Sequence, residues 1–96
     1  MYLFFLINFL AYIRNHSNGL LAYPAICGSG CNGAILHYIN NDKEISESDM
    51  ILNDMGGKWR GYCSDVTCCF PSSGKFTEKQ KLIYNAVLDA NRTVIS

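Results

Sequence analysis

The sequence predicts an α+β fold: antiparallel β-hairpins with one covering C-terminal helix. Three observations carry that class. Two strand-like runs, Met50-Ile51-Leu52 and Val66-Thr67-Cys68-Cys69-Phe70, flank loop residues from Lys58 to Gly61. Thr77-Glu78-Lys79-Gln80 has the spacing of a capping box and opens a stretch whose apolar residues recur at three- and four-residue steps. Tyr23-Pro24-Ala25-Ile26-Cys27 reads as a further short strand, with proline near its start, where the missing N–H is tolerated.

Composition narrows the function classes. The chain has 96 residues, room for one small domain with a modest core. Eight basic and eight acidic residues give a formal charge of zero, so no electrostatic footprint for nucleic acid and no polybasic membrane patch exists. An apolar share of 49% excludes a disordered or low-complexity chain. The five cysteines are an odd count and fall inside strand-like segments, which argues against a disulfide framework and for a reducing, cytoplasmic setting. Their spacings are not those of zinc knuckles, so buried thiols in strands are the expectation.

In chain order, residues 1–13 form an almost continuous apolar run, too short to span a bilayer as a helix. It reads as a buried helix or strand at the domain edge, as a start foreign to the fold, or as a signal-peptide core that would make the chain secreted. No basic residue precedes it and no clear cleavage site follows. His16 reads as a surface histidine. The acceptor patterns Asn15-His16-Ser17 and Asn91-Arg92-Thr93 read as chance matches. Gly28-Ser29-Gly30-Cys31-Asn32-Gly33 matches the dinucleotide-binding glycine pattern, and Asp54 stands 21 residues beyond Gly33. That motif must open a helix, however, whereas the residues from Ala34 to Ile39 are few, β-rich and closed by the turn cluster Asn40-Asn41-Asp42. The glycines are read instead as a tight bend that brings backbone close to a site. At the C-terminal end, Ile83, Ala86, Val87, Ala90 and Val94 make an apolar stripe expected to pack on the sheet.

The chemistry concentrates in the hairpin, where Asp54 and Asp65 stand eleven residues apart. A turn centred between Trp59 and Arg60 sets the two directly opposite each other, at a spacing where like charges repel. Either a shared proton or a cation accepting oxygens from both would offset the repulsion, and the cation explains more. Oxygen ligands suit manganese or magnesium. A register slipped by one residue would instead leave two solvated loop acids. Thr67 falls on the same face as Asp65, within reach of its carboxylate, and Cys68 points away.

The motifs from Tyr23 to Tyr38, Asp54-Met55-Gly56-Gly57, Asp65 to Pro71, and Gly74-Lys75-Phe76-Thr77 together resemble the middle of a prolidase, the Xaa-Pro dipeptidase branch of the M24 metallopeptidases. The similarity covers about residues 20–96, with residues 1–19 as an unmatched apolar segment. It implies the pita-bread (creatinase/aminopeptidase-like) fold and a two-metal hydrolase, usually with two Mn2+, that cleaves peptides before proline. By the resemblance Asp54 and Asp65 are metal ligands, with Asp65 bridging both ions. His37 contacts substrate and stabilises the tetrahedral intermediate, and Tyr23 and Thr67 lie close to the metal centre. Family members form homodimers and act on Xaa-Pro dipeptides or proline-containing peptides, with no membrane or nucleic-acid partner. The family also uses one histidine and two glutamates that come after the matched region. Their absence before Ser96 implies a fragment, inactive alone, or a non-catalytic pita-bread binding module.

Overall fold

The computed structural model describes residues 2–16 and 18–96. Helix α1 spans Tyr2–His16, and strand β1, Ile26–Ser29, leads into a single 3-10 turn at Gly30–Ala34. Strands β2 (Met50–Met55), β3 (Lys58–Trp59), β4 (Tyr62–Cys63) and β5 (Val66–Pro71) follow, and helix α2 spans Glu78–Ile95. A three-stranded antiparallel sheet has the order β1-β2-β5, and β3 pairs with β4 as a small ribbon beyond it.

The hairpin forms, with its turn one residue further along than the sequence reading placed it. Trp59 pairs with Tyr62 around Arg60 and Gly61, whose φ values are 48° and 88°. Positive φ at both central residues defines the two-residue turn whose twist matches that of the strands, and glycine is the residue best suited to it. The Arg60 guanidinium lies 5.4 Å from the centre of the Trp59 ring, a cation–π contact at the tip. The turn sets the register: Asp54 lies opposite Thr67 rather than Asp65. A shift of one residue in the turn moves the partner by two, which is even, so both carboxylates keep the same face.

Register also defines the rows of the sheet. Ile26, Asp54 and Thr67 form one row, and Gly28, Leu52 and Cys69 the next on the same face. On the other face Ser29, Ile51 and Phe70 align. The core centres on β1 and Ile51: Ala25, Ile26, Cys27, Ser29 and Ile51 are buried, joined by Ile13 from α1 and Tyr38 from the long connection. Removing Ile26 and Ile51 from water contributes about 1.5–3 kcal/mol each.

Helix α1 occupies the run for which a buried helix was one reading, but among its described side chains only Ile13 is buried, while Ile7, Leu10 and Tyr12 are exposed. Among the described residues no helix is long and apolar enough to cross a membrane. His16 is exposed and, among the described residues, bonds only within its own helix, its Nδ1–H donating to the Tyr12 carbonyl at 2.9 Å. The acceptor pattern at Asn15 includes Ser17, which lies outside the described residues. Asn18 and Gly19, both at positive φ, turn the chain after α1. Residues 20–22 then run alongside the hairpin: Lys58 N–H donates to Leu20 O at 3.0 Å and Ala22 N–H to Gly56 O at 2.9 Å.

Three expectations change in the structure. Residues 35–49 contain no strand, because the 3-10 turn hands over directly to turns and extended chain. The glycine bend is tight, but it closes on itself rather than on a site: a Cβ on Gly28 would lie 2.8 Å from the Gly33 Cα. Helix α2 has its full capping box, with Thr77 N–H donating to Gln80 Oε1 at 2.8 Å and Gln80 N–H to Thr77 Oγ1 at 3.3 Å. Its apolar stripe, however, is not on the sheet: Ile83, Val87 and Val94 are 65–87% exposed. The half-buried side is Gln80, Tyr84 and Leu88. Two contacts at the helix start accompany that orientation, Gln80 Nε2 donating to Ser48 O at 3.1 Å and the Tyr84 ring tilted at 53° against Phe76 with centroids 4.8 Å apart.

Of the thiols, only Cys27 is buried. Cys31, Cys63, Cys68 and Cys69 are exposed: Cys31 lies in the 3-10 turn, Cys63 in β4 beyond the sheet, and Cys68 and Cys69 in the edge strand β5.

Candidate metal-binding site

Asp54 sits next to the end of β2, half-buried and flanked in its row by Ile26 and Thr67. Asp65 precedes β5 and is exposed. Although diagonal in register, their carboxylates converge on one group, the Tyr23 hydroxyl. It contacts Asp54 Oδ1 in a short hydrogen bond and lies 2.8 Å from Asp65 Oδ1. Tyr23 is brought there by the pairing of residues 20–22 with 56–58, 31 and 42 residues away in sequence from the two acids.

That geometry poses a charge problem. A phenol carries one hydrogen and satisfies one carboxylate at a time. Two ionised carboxylates meeting at one oxygen therefore leave a lone pair facing a lone pair, unless a proton or a cation stands between them. The Tyr23 phenol is held far above its ordinary pKa of 10.0, first by desolvation, then by donating to Asp54 and Asp65, and last by their charges. It stays a neutral donor at physiological pH.

His37 lies on the turn after the 3-10 segment, exposed, and lines the same open groove of about 390 Å³. Tyr23, Pro24, Ile26 and Ile39 complete the walls around Asp54 and Asp65. Of the residues singled out in the sequence, the structure thus brings Tyr23, His37, Asp54 and Asp65 to one groove. Thr67 is in the row of Asp54 rather than beside Asp65, and its hydroxyl bonds neither carboxylate. The two aspartates, with the phenol between them, form an oxygen-rich cradle of the kind that hard divalent ions take. Among the described residues no cluster of three or more His, Cys, Asp or Glu side chains forms. Sequence reasoning passed over Ile39 and Pro24 as walls, and over Asn41, which ties the wall segments together. An asparagine inside a turn cluster was the signal for the last.

Known proteins resemble this chain in sequence and in fold. The sequence model of metallopeptidase family M24 matches residues 6–96. The chain belongs to that family. Xaa-Pro dipeptidase of Mus musculus is 52% identical over 79 residues, 78% of this chain and 16% of that protein. Xaa-Pro aminopeptidase of Escherichia coli K12 is 46% identical over 80 residues, 83% of this chain and 18% of that protein. Solved structures agree: E. coli aminopeptidase P with the inhibitor Pro-Leu superposes with a TM-score of 0.83 at 40% identity, over 88% of this chain and 19% of that one. The zinc-substituted E. coli enzyme in complex with product also scores 0.83, at 41% identity over 86% and 19%. The sheet and its helices are therefore a portion of the pita-bread fold. The chain spans less than a fifth of the length of these relatives.

Proposed function

We propose that this M24 chain carries part of the active site of an Xaa-Pro peptidase of the dipeptidase (prolidase) type, residues 20–96 being a partial catalytic domain. The observation that carries the reading is the convergence of Asp54 and Asp65 on the Tyr23 hydroxyl. Asp54 and Asp65 would hold divalent metal, two Mn2+ in a complete site, which supplies Lewis-acid polarisation of a carbonyl and an activated water. Tyr23 holds the two carboxylates at a fixed separation while they are unloaded. Pro24, Ile26 and Ile39 give the groove apolar walls that exclude water from a bound peptide, and His37 at its rim is placed to hold charge developing on a carbonyl oxygen. The substrate is an Xaa-Pro dipeptide or another proline-containing peptide, the setting cytoplasmic, and the assembly a homodimer.

A second reading, a non-catalytic pita-bread module, is supported by the lack of a third ligand near the pair among the described residues. Manganese calorimetry on the 96-residue chain, beside Asp54→Ala and Asp65→Ala, tests the site itself. The expected result is weak binding abolished by either substitution, with no hydrolysis of Gly-Pro by the chain alone. Binding that survives both substitutions, or none in the unaltered chain, sinks the metal site. Gly-Pro turnover that disappears with Asp65→Ala would overturn the expectation of inactivity.

A further inference from the structure

The connection between the 3-10 turn and β2 contains an asparagine that does the work of a strand. Strand β1 is at the edge of the sheet, so its outward backbone groups lack a neighbouring strand. The Cys27 N–H donates to Asn41 Oδ1 at 2.9 Å, and Asn41 Nδ2 donates to the Ala25 carbonyl at 2.8 Å. A primary amide offers one acceptor and a donor side by side, as a peptide group of a paired strand would. Asn41 itself sits at φ 51°, in the left-handed region that asparagine tolerates better than other non-glycine residues.

Both walls of the groove depend on this contact. Ala25 and Cys27 bracket Ile26, which lines the groove and lies opposite Asp54. On the other side, Asn41 ends the segment bearing His37 and Ile39, which line the groove as well. That segment has a second anchor in Tyr38, 7% exposed, whose hydroxyl donates to Asp42 Oδ1 at 2.6 Å. His37 makes no hydrogen bond among the described residues, so its place is inherited from Tyr38 and Asn41. We infer that Asn41 is a positioning residue of this site: its amide docks the His37 segment on the β1 edge and so sets the gap between His37 and the two aspartates. The inference rests on the metal-site reading only where manganese is used as a probe.

Two variants of the full chain test it. Asn41→Gly removes the side chain and keeps the backbone conformation. Asn41→Asp keeps the shape but turns a carboxylate oxygen toward the Ala25 carbonyl. In the metal-free protein, NMR should show the Cys27 amide exchanging about tenfold faster in Asn41→Gly, the factor expected for loss of one hydrogen bond, whereas Asn41→Asp keeps an acceptor for that amide and loses only the donor to the Ala25 carbonyl. The β2 and β5 amides should keep their protection, while nuclear Overhauser contacts of His37 and Ile39 with Tyr23, Pro24 and Ile26 weaken several-fold. With Mn2+ added, broadening of the His37 ring protons should fall several-fold while affinity at the aspartates is retained. Unchanged contacts from His37 and Ile39 in both variants would overturn the inference, and so would protection lost evenly across the sheet, the mark of a purely structural staple. Failure of Mn2+ to bind the unaltered chain would remove the metal reading and leave the metal-free contacts to decide the role of Asn41.

Discussion

Gly56 joins the two halves of the site, and replacing it with alanine gives the sharpest test of the packing. It follows the Asp54 strand and faces the residue before Asp65. A Cβ built on it would lie 1.9 Å from the Ser64 carbonyl oxygen and 2.8 Å from Tyr23 Cε1. The first obstacle is backbone, which no rotamer change can clear. The strands must separate locally, and Tyr23, the bridge between the carboxylates, must retreat. Overpacking of this kind costs about 3 kcal/mol, the upper end of the usual range. At roughly 4–8 °C per kcal/mol for a domain of this size, Tm should drop by about 12 °C or more. Two glycines calibrate the effect. Gly61 has nothing within 4 Å but a φ of 88°, so Gly61→Ala bears only backbone strain, about 1–2 kcal/mol. Gly33 has ordinary φ and meets only the Leu52 Cβ at 3.6 Å, so Gly33→Ala should be close to neutral. Thermal unfolding by circular dichroism should rank the losses Gly56, then Gly61, then Gly33. A Gly56→Ala chain as stable as Gly33→Ala would refute the close approach of β2 to residue 64, and with it the placement of Tyr23.

Other consequences follow from single contacts. The folded Tyr23 phenol is raised above its unfolded value of 10.0, so the stability it contributes is fully present below pH 10 and is lost as pH climbs toward the folded pKa. Urea midpoints at pH 9 and 11 should therefore diverge more in the unaltered chain than in Tyr23→Phe; equal slopes would show that the phenol is not bound by the carboxylates. Thr77→Ala removes half of the capping box and should cost about 1 kcal/mol. Because α2 is lightly packed, that loss should be visible as faster amide exchange in its first turn, with the sheet unaffected. Native titration with a thiol reagent should modify Cys31, Cys63, Cys68 and Cys69 and spare Cys27 until urea is added. Cys69 should lag behind Cys68 at mildly alkaline pH, since burial first and the neighbouring Cys68 second raise its thiol pKa. Rapid labelling of Cys27 would mean that β1 is not the buried strand.

Local chemistry was legible from the residues alone. Thr77 and Gln80 marked the start of α2 because a capping box is satisfied within four residues. The strand runs and the glycine-containing turn marked a hairpin, and two acids on it at that spacing had to share a face for any even register. The motifs around His37, Asp54 and Asp65 carried the family resemblance, which the match to metallopeptidase family M24 over residues 6–96 bears out. What lay beyond was decided by contacts between distant segments. The one-residue difference in the turn, which set Asp54 against Thr67, followed from Arg60 and Gly61 both entering the left-handed region, a choice that strand twist makes. The stripe of Ile83, Val87 and Val94 was a periodic pattern without an address. The helix is turned another way, with the Gln80–Ser48 and Tyr84–Phe76 contacts at its start. The meeting of Tyr23 with both carboxylates, and of Asn41 with the edge of β1, depends on chain returning to pair across dozens of residues. No local propensity encodes such a return, because its free energy arises only when both partners are already in place.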